Sequence, residues 1–261
     1  MKIQDNIYSD TYQLHIHQAD PLLTAGLPFY CKAVQEGAAA HALYEGCANS
    51  DLHAMGKTWV LSRLKLSIEK YVTWPSAINF ETWINSPFRF FAPREARGTD
   101  ETGNELFRSM AYWVVIDLEK RRPEKPGMIN DFIGLSEDRS LWTGTTLAKL
   151  PAGQNLPASS TYKPQLMYRD IDSVRHINNI SYIEWILESF SLEYKTDYKP
   201  SEFEINFLAE SFLGDELILY SKKKSDEPDN TWQHTIMRVE GDIQTEVCRA
   251  RSIWKQRKYM R

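Results

Sequence analysis

The chain has 261 residues, enough for one large domain or two of ordinary size, and 42% of them are hydrophobic, enough for a packed core. Its 31 basic and 35 acidic side chains leave a formal charge of −4, which gives no argument for nucleic acid or a lipid surface as partner. No apolar run approaches the roughly 20 residues of a membrane span, and Met1-Lys2-Ile3-Gln4-Asp5-Asn6 lacks the apolar stretch of a signal peptide.

In chain order, residues 38–48 form a helix candidate, followed by strand candidates at about 58–71, 77–88, 92–99 and 105–118. Residues 99–104 are a hairpin turn. Residues 136–163 are rich in Ser, Thr, Gly, Pro and Ala and cannot be regular structure throughout. Next comes the polar run Asp170-Ile171-Asp172-Ser173-Val174-Arg175-His176-Ile177-Asn178-Asn179, then a helix with apolar residues at Ile180, Ile183, Leu187 and Phe190. Asn178 or Asn179 is its N-cap. The remaining strands are expected at about 202–211, 215–224, 231–240 and 244–256, with a turn at 225–230.

The chain repeats itself. Glu105, Arg108 and Trp113 recur as Glu246, Arg249 and Trp254, a shift of 141 residues. The same shift lays 38–48 on 179–189, Arg63–Glu69 on Glu204–Glu210, and Glu69 on Glu210. A helix wrapped by an antiparallel sheet, made twice, is an α+β architecture. The expected division is 1–140, a linker at 141–163, and 164–261. Under this shift Asp172 falls on Cys31 and His176 on Gln35. The first half therefore has no acid–histidine pair and is free to shape a binding pocket.

The polar run stands where a helix N-terminus presents unpaired N–H groups and a favourable dipole. That suits hydrolysis of an ester or thioester, whose carbonyl oxygen gains charge in the transition state. Strict alternation along Phe203, Ile205, Phe207 and Ala209 puts Glu210 on the solvated face, unless a bulge redirects it. Apolar lining for a substrate is offered by Trp59, Leu64, Leu66, Ile68, Trp74 and Trp83, most of them expected to be core. Cys31, Cys47 and Cys248 are expected to be reduced thiols in a cytoplasmic protein. His15 and His17 have no acidic or thiol partner at ligand spacing, so no metal or cofactor is expected.

Residues 170–188 resemble the signature of the acyl-acyl-carrier-protein (acyl-ACP) thioesterases of plants and bacteria. Residues 59–66, Lys70–Pro75, the Arg108…Trp113 strand and Ala209-Glu210-Ser211 resemble further motifs of that family, in the same order. The resemblance runs from about residue 8 to 255, and for this chain it points to the bacterial type. It implies a tandem double hotdog fold and hydrolysis of acyl-ACP to fatty acid and holo-ACP. It also implies catalytic positions at Asp172, His176 and Glu210. On that reading the carbonyl lies against the N–H groups of Ile177 and Asn178, and His176 or Glu210 activates water. Asp172 fixes the histidine or the helix start.

Two positions depart from the family pattern. Val174 replaces an Asn, with Asn178 as a candidate substitute in substrate binding, and Ser211 stands where plant relatives often carry Cys. ACP is acidic, so Lys120-Arg121-Arg122, Arg169, Arg175 and Lys222-Lys223-Lys224 are candidate contacts. The alternatives are an acyl-CoA thioesterase and a non-enzymatic acyl-chain-binding module. The sequence leaves monomer and homodimer open.

Overall fold

A computed structural model of the chain describes residues 2–127, 132–136, 139–152, 159–224 and 230–257. The chain divides into two compact units, Met1–Leu147 and Ala148–Arg261.

The first unit opens with strands β1 (Lys2–Gln4) and β2 (Ile7–Gln13), then helices α1 (Leu27–Tyr44) and α2 (Asn49–Ala54). Strands β3 (Lys57–Ile68), β4 (Ala77–Ile84), β5 (Ala92–Thr99), β6 (Glu105–Asp117) and β7 (Arg122–Pro123) follow. The antiparallel sheet runs β1-β2-β4-β5-β6-β3, with β7 beside β6. α1 starts at Gly26 in extended conformation, with proline in the first turn, where no N–H is needed. It begins eleven residues before the expected helix because its first turns are apolar on several sides: Leu27, Phe29, Tyr30, Cys31, Ala33 and Val34 are all buried. Such a stretch shows no 3.6-residue stripe to read. Gly37 lets α1 approach the sheet, since a Cβ there would lie 2.3 Å from Phe80 Cε1. Phe80 is itself 1% exposed and packs edge-on to Tyr12, and its burial stabilises the fold by about 1.5–3 kcal/mol.

The second unit contains β8 (Ser160–Tyr162), α3 (Asn179–Glu188), α4 (Leu192–Asp197), β9 (Tyr198–Phe207), β10 (Glu216–Lys223), β11 (Thr231–Glu240) and β12 (Ile243–Gln256). Its antiparallel sheet runs β9-β12-β11-β10-β8. Read from the other edge, this matches β2-β4-β5-β6-β3 strand for strand, and in each unit the helices follow the first of these strands. Inside, Phe190 packs against Tyr194, Trp232 and Trp254. β8 falls within the stretch expected to be linker. The turn expected at 225–230 lies, apart from Asn230, outside the described residues.

The repeat is visible in detail. Glu105 pairs with Arg108 at 3.8 Å, and Glu246 pairs with Arg249. Each motif strand carries one extra residue opposite its neighbour, Leu106 in β6 and Val247 in β12. The Leu106 carbonyl accepts from Glu69 N–H (2.9 Å) and Lys70 N–H (3.2 Å); the Val247 carbonyl accepts from Leu208 N–H (2.9 Å) and Ala209 N–H (3.3 Å). Glu69 therefore matches Leu208, not Glu210. The single shift of 141 fails in this strand because the intervening connections differ in length. It fails further in the loop before the helix, where bonding equates Asp172 with Asp20 and His176 with Thr24.

Candidate active site

The residues flagged in the polar run gather at the start of α3. Asn178 is its N-cap, in extended conformation, with Oδ1 accepting from Ile180 N–H at 2.8 Å. A cap of this kind stabilises a helix by about 1 kcal/mol. Residues 172–176 form a tight turn. Asp172 Oδ1 accepts from Val174 N–H at 3.0 Å and His176 N–H at 2.9 Å, and Arg175 takes φ +68°.

Glu210 arrives from the other side. β9 ends at Phe207, and both following N–H groups go to the Val247 bulge carbonyl. This breaks the alternation that would have kept Glu210 on the solvated face. The Glu210 carbonyl is held by Arg238 Nη1 at 2.8 Å, and Arg238 also pairs with Glu240 at 2.8 Å. His176 Nδ1 and Glu210 Oε1 then lie 3.8 Å apart, with the side chains 32% and 44% exposed. Phe212 stands edge-on to the imidazole at 5.1 Å. A surface hollow beside the pair is lined by Tyr168, Ile171, Asp172, Arg175, Phe212 and Leu213.

The structure corrects one expectation. The N–H groups of Ile177 and Asn178 are not open to a substrate carbonyl, because they donate to Ser211 O (2.8 Å) and Asp170 O (2.7 Å). Ile180 N–H is taken by the cap and Ser181 N–H by Asn178 O. In this first turn Asn179 N–H has no acceptor among the described residues.

Val174 directs its side chain outward, 41% exposed, while its N–H serves the turn. Ser211 is fully buried beside the Tyr182 hydroxyl, whose pKa burial pushes up. Arg238, Phe212 and the carbonyl of Asp170 were not singled out from sequence. They act through the backbone or through contact at a distance in the chain, and no local spacing marks them.

Of the remaining candidates, Trp59 lies in the first unit. There it lines a hollow of about 390 Å³ with Ala38, Leu43, Ile84, Arg94 and Trp113, and its Nε1–H donates to Cys47 O at 2.9 Å. Leu64, Leu66, Ile68 and Trp83 are core. Trp74, 42% exposed, does not line that hollow. Arg94 beneath the hollow is 4% exposed and donates to His41 Nδ1 at 3.0 Å. Among the described residues no cluster of metal-ligating side chains occurs, and all three cysteines are buried free thiols.

A helix and an antiparallel sheet, repeated with one topology, define a tandem double hotdog protein, here with a histidine–glutamate pair at the helix start of its second unit. The model of the acyl-ACP thioesterase N-terminal domain matches residues 5–133 and that of the C-terminal domain residues 154–256; the chain belongs to the acyl-ACP thioesterase family.

It is similar to a chloroplastic palmitoyl-acyl carrier protein thioesterase of Gossypium hirsutum, 24% identical over 80% of this chain and 53% of that one. It is likewise similar to the enzyme of the same description from Cuphea hookeriana, 23% identical over 97% of this chain and 63% of that one. The chain thus spans between half and two thirds of these plant relatives.

Among solved structures, an acyl-ACP thioesterase from Bacteroides thetaiotaomicron is 25% identical with a TM-score of 0.82, covering 98% of this chain and 100% of that one. The 12:0-ACP thioesterase from Umbellularia californica shares the fold at 19% identity and a TM-score of 0.83, with coverage of 98% and 100%.

Proposed function

We propose that this protein hydrolyses the thioester of acyl-ACP, releasing a free fatty acid and holo-ACP. The observation that carries the reading is the approach of His176 Nδ1 to Glu210 Oε1 at the start of α3, in a chain of this family. Glu210 orients the ring through Nδ1, which leaves Nε2 to take a proton from water as it attacks the thioester carbon. The carbonyl oxygen gains charge at the helix start, where Asn179 N–H is the available donor. Collapse of the tetrahedral intermediate breaks the C–S bond, and His176 returns the proton to the departing thiolate. Water is the only co-reactant.

Family membership and the exposed Arg169 and Arg175 beside the catalytic turn favour ACP as the carrier, since ACP is acidic. The apolar lining of the first unit's hollow suits an alkyl chain, and quenching of Trp59 fluorescence by fatty acids tests that role. Among the described residues no helix is long and apolar enough to cross a membrane. With its buried free thiols, this fits the cytoplasm as the working compartment.

Comparing acyl-ACP with acyl-CoA of equal chain length tests the carrier. Preference for ACP supports the reading, and equal or better rates with CoA favour an acyl-CoA thioesterase.

A further inference from the structure

The hollow of the first unit has a counterpart in the second, and there it is filled. Arg94 pairs with Ala111 in β6, and Trp232 pairs with Ser252 in β12, so the two stand at equivalent places. Trp113 matches Trp254. Trp59, opposite Val115, matches Tyr198, opposite Gln256. Counted from Ala48 and Ser191, the N-caps of the short helices α2 and α4, Cys47 matches Phe190 and Asp51 matches Tyr194.

In the second unit these places form one cluster of rings. Phe190 packs on Tyr194 (5.0 Å), Trp232 (5.0 Å) and Trp254 (4.5 Å), and Tyr194 stacks on Tyr198 at 4.9 Å. In the first unit a cysteine and an aspartate replace the two central rings, and an arginine replaces Trp232. A space of about 390 Å³ is left, walled by Trp59, Trp113 and several alanines.

Arg94 lines that space and is 4% exposed. Its Nη1 donates to His41 Nδ1 (3.0 Å) and Thr82 Oγ1 (3.3 Å). Among the described residues no carboxylate pairs with the guanidinium, and the rest of its fork has no acceptor. Glu36, the other charged residue lining the hollow, is exposed to solvent. A buried cation without a counter-ion is costly, and an arginine fork matches a carboxylate.

We propose that the hollow binds a free fatty acid carboxylate-first, with the head on Arg94 and the alkyl chain along Trp59 and Trp113. The acid so bound occupies the place given above to the acyl chain, so released product competes with acyl-ACP. That consequence rests on the hydrolase reading; the binding itself does not.

The test is binding of dodecanoate and dodecanol to the purified protein, below their micellar concentrations, read by tryptophan fluorescence and calorimetry. Dodecanoate should bind at least about tenfold more tightly than dodecanol, the worth of a charge-assisted contact. Arg94→Met should erase that preference by weakening the acid and not the alcohol. Trp59→Phe should lose most of the fluorescence change. Equal affinity for acid and alcohol, no binding of the acid, or a preference that persists in R94M overturns the inference. Should R94M not fold, the comparison of acid with alcohol in wild type decides alone. In an active enzyme dodecanoate should raise KM for acyl-ACP and leave kcat in place, and an unchanged KM at saturating dodecanoate overturns the competition. If wild type hydrolyses no acyl thioester, the functional reading falls, and the binding comparison still judges this one.

Discussion

His176, in the turn before α3, and Glu210, just beyond the end of β9, meet at 3.8 Å, and each is held through its backbone. His176 is set by the Asp172 turn, and Glu210 by the Arg238 guanidinium and the Val247 carbonyl that ends β9. Both rings of support can be removed without touching the reacting groups, so chemistry and positioning are separable by experiment.

Replacing either reacting group should abolish turnover and leave the fold intact, since both side chains are partly exposed. Thiol-release assays on H176A and E210Q should show kcat lower by about 100- to 10,000-fold, the range for losing a general acid–base group. Their melting temperatures should stay near that of wild type.

Arg238→Met should act differently. It removes the grip on the Glu210 carbonyl and the Glu240 ion pair but no atom that contacts substrate. The expected result is kcat lowered by about 10- to 100-fold through displacement of Glu210, measured by the same assay. Unchanged kcat would show that Glu210 keeps its place without the Arg238 contact.

Carrier recognition predicts a salt effect. Exposed charges are screened beyond about 8 Å at physiological ionic strength. If Arg169 and Arg175 receive an acidic carrier, R169E/R175E should raise KM for acyl-ACP while leaving KM for a short acyl thioester in place. Added salt should narrow the gap between wild type and variant.

Stability should fall on acidification. His234 is buried between the Ser221 hydroxyl (2.8 Å) and the Ser252 hydroxyl (2.9 Å), and burial pulls its pKa down to about 3. His41 is pulled to about 3 by burial and then by the Arg94 charge. The unfolded chain takes up these protons near the ordinary value of 6.5 and the folded chain does not. The stability they contribute is therefore whole above 6.5 and is lost as pH falls toward 3. Denaturant midpoints at pH 7.5 and 4.5 check the direction, and His234→Gln should flatten the slope.

Gly37→Ala should destabilise by about 1–3 kcal/mol, the cost of overpacking, because its Cβ would meet the Phe80 ring. Thermal melts of the variant read this directly.

Much of this was legible in the sequence. The strands expected at 92–99 and 231–240 stand at those bounds, and the start of α3 behind Asn178, one of the two caps expected, followed from the polar run and the apolar period after it. The Glu–Arg–Trp repeat exposed the duplication. What escaped depends on bonds between distant segments. The Val247 bulge redirects Glu210, and carbonyls of Ser211 and Asp170 occupy N–H groups that looked free. The matching Asp20 turn was hidden because connections of unequal length displace it from the shift of 141. The start of α1 was hidden by an unstriped apolar stretch.

The measurement that bears most directly on the central claim is free-thiol release from a panel of acyl-ACPs by wild type, H176A and E210Q. Wild type should release thiol with a definite chain-length preference, and both variants should lose that release almost completely. Undiminished release by the variants, or none by wild type from any acyl-ACP, would overturn the assignment of His176 and Glu210 to thioester hydrolysis.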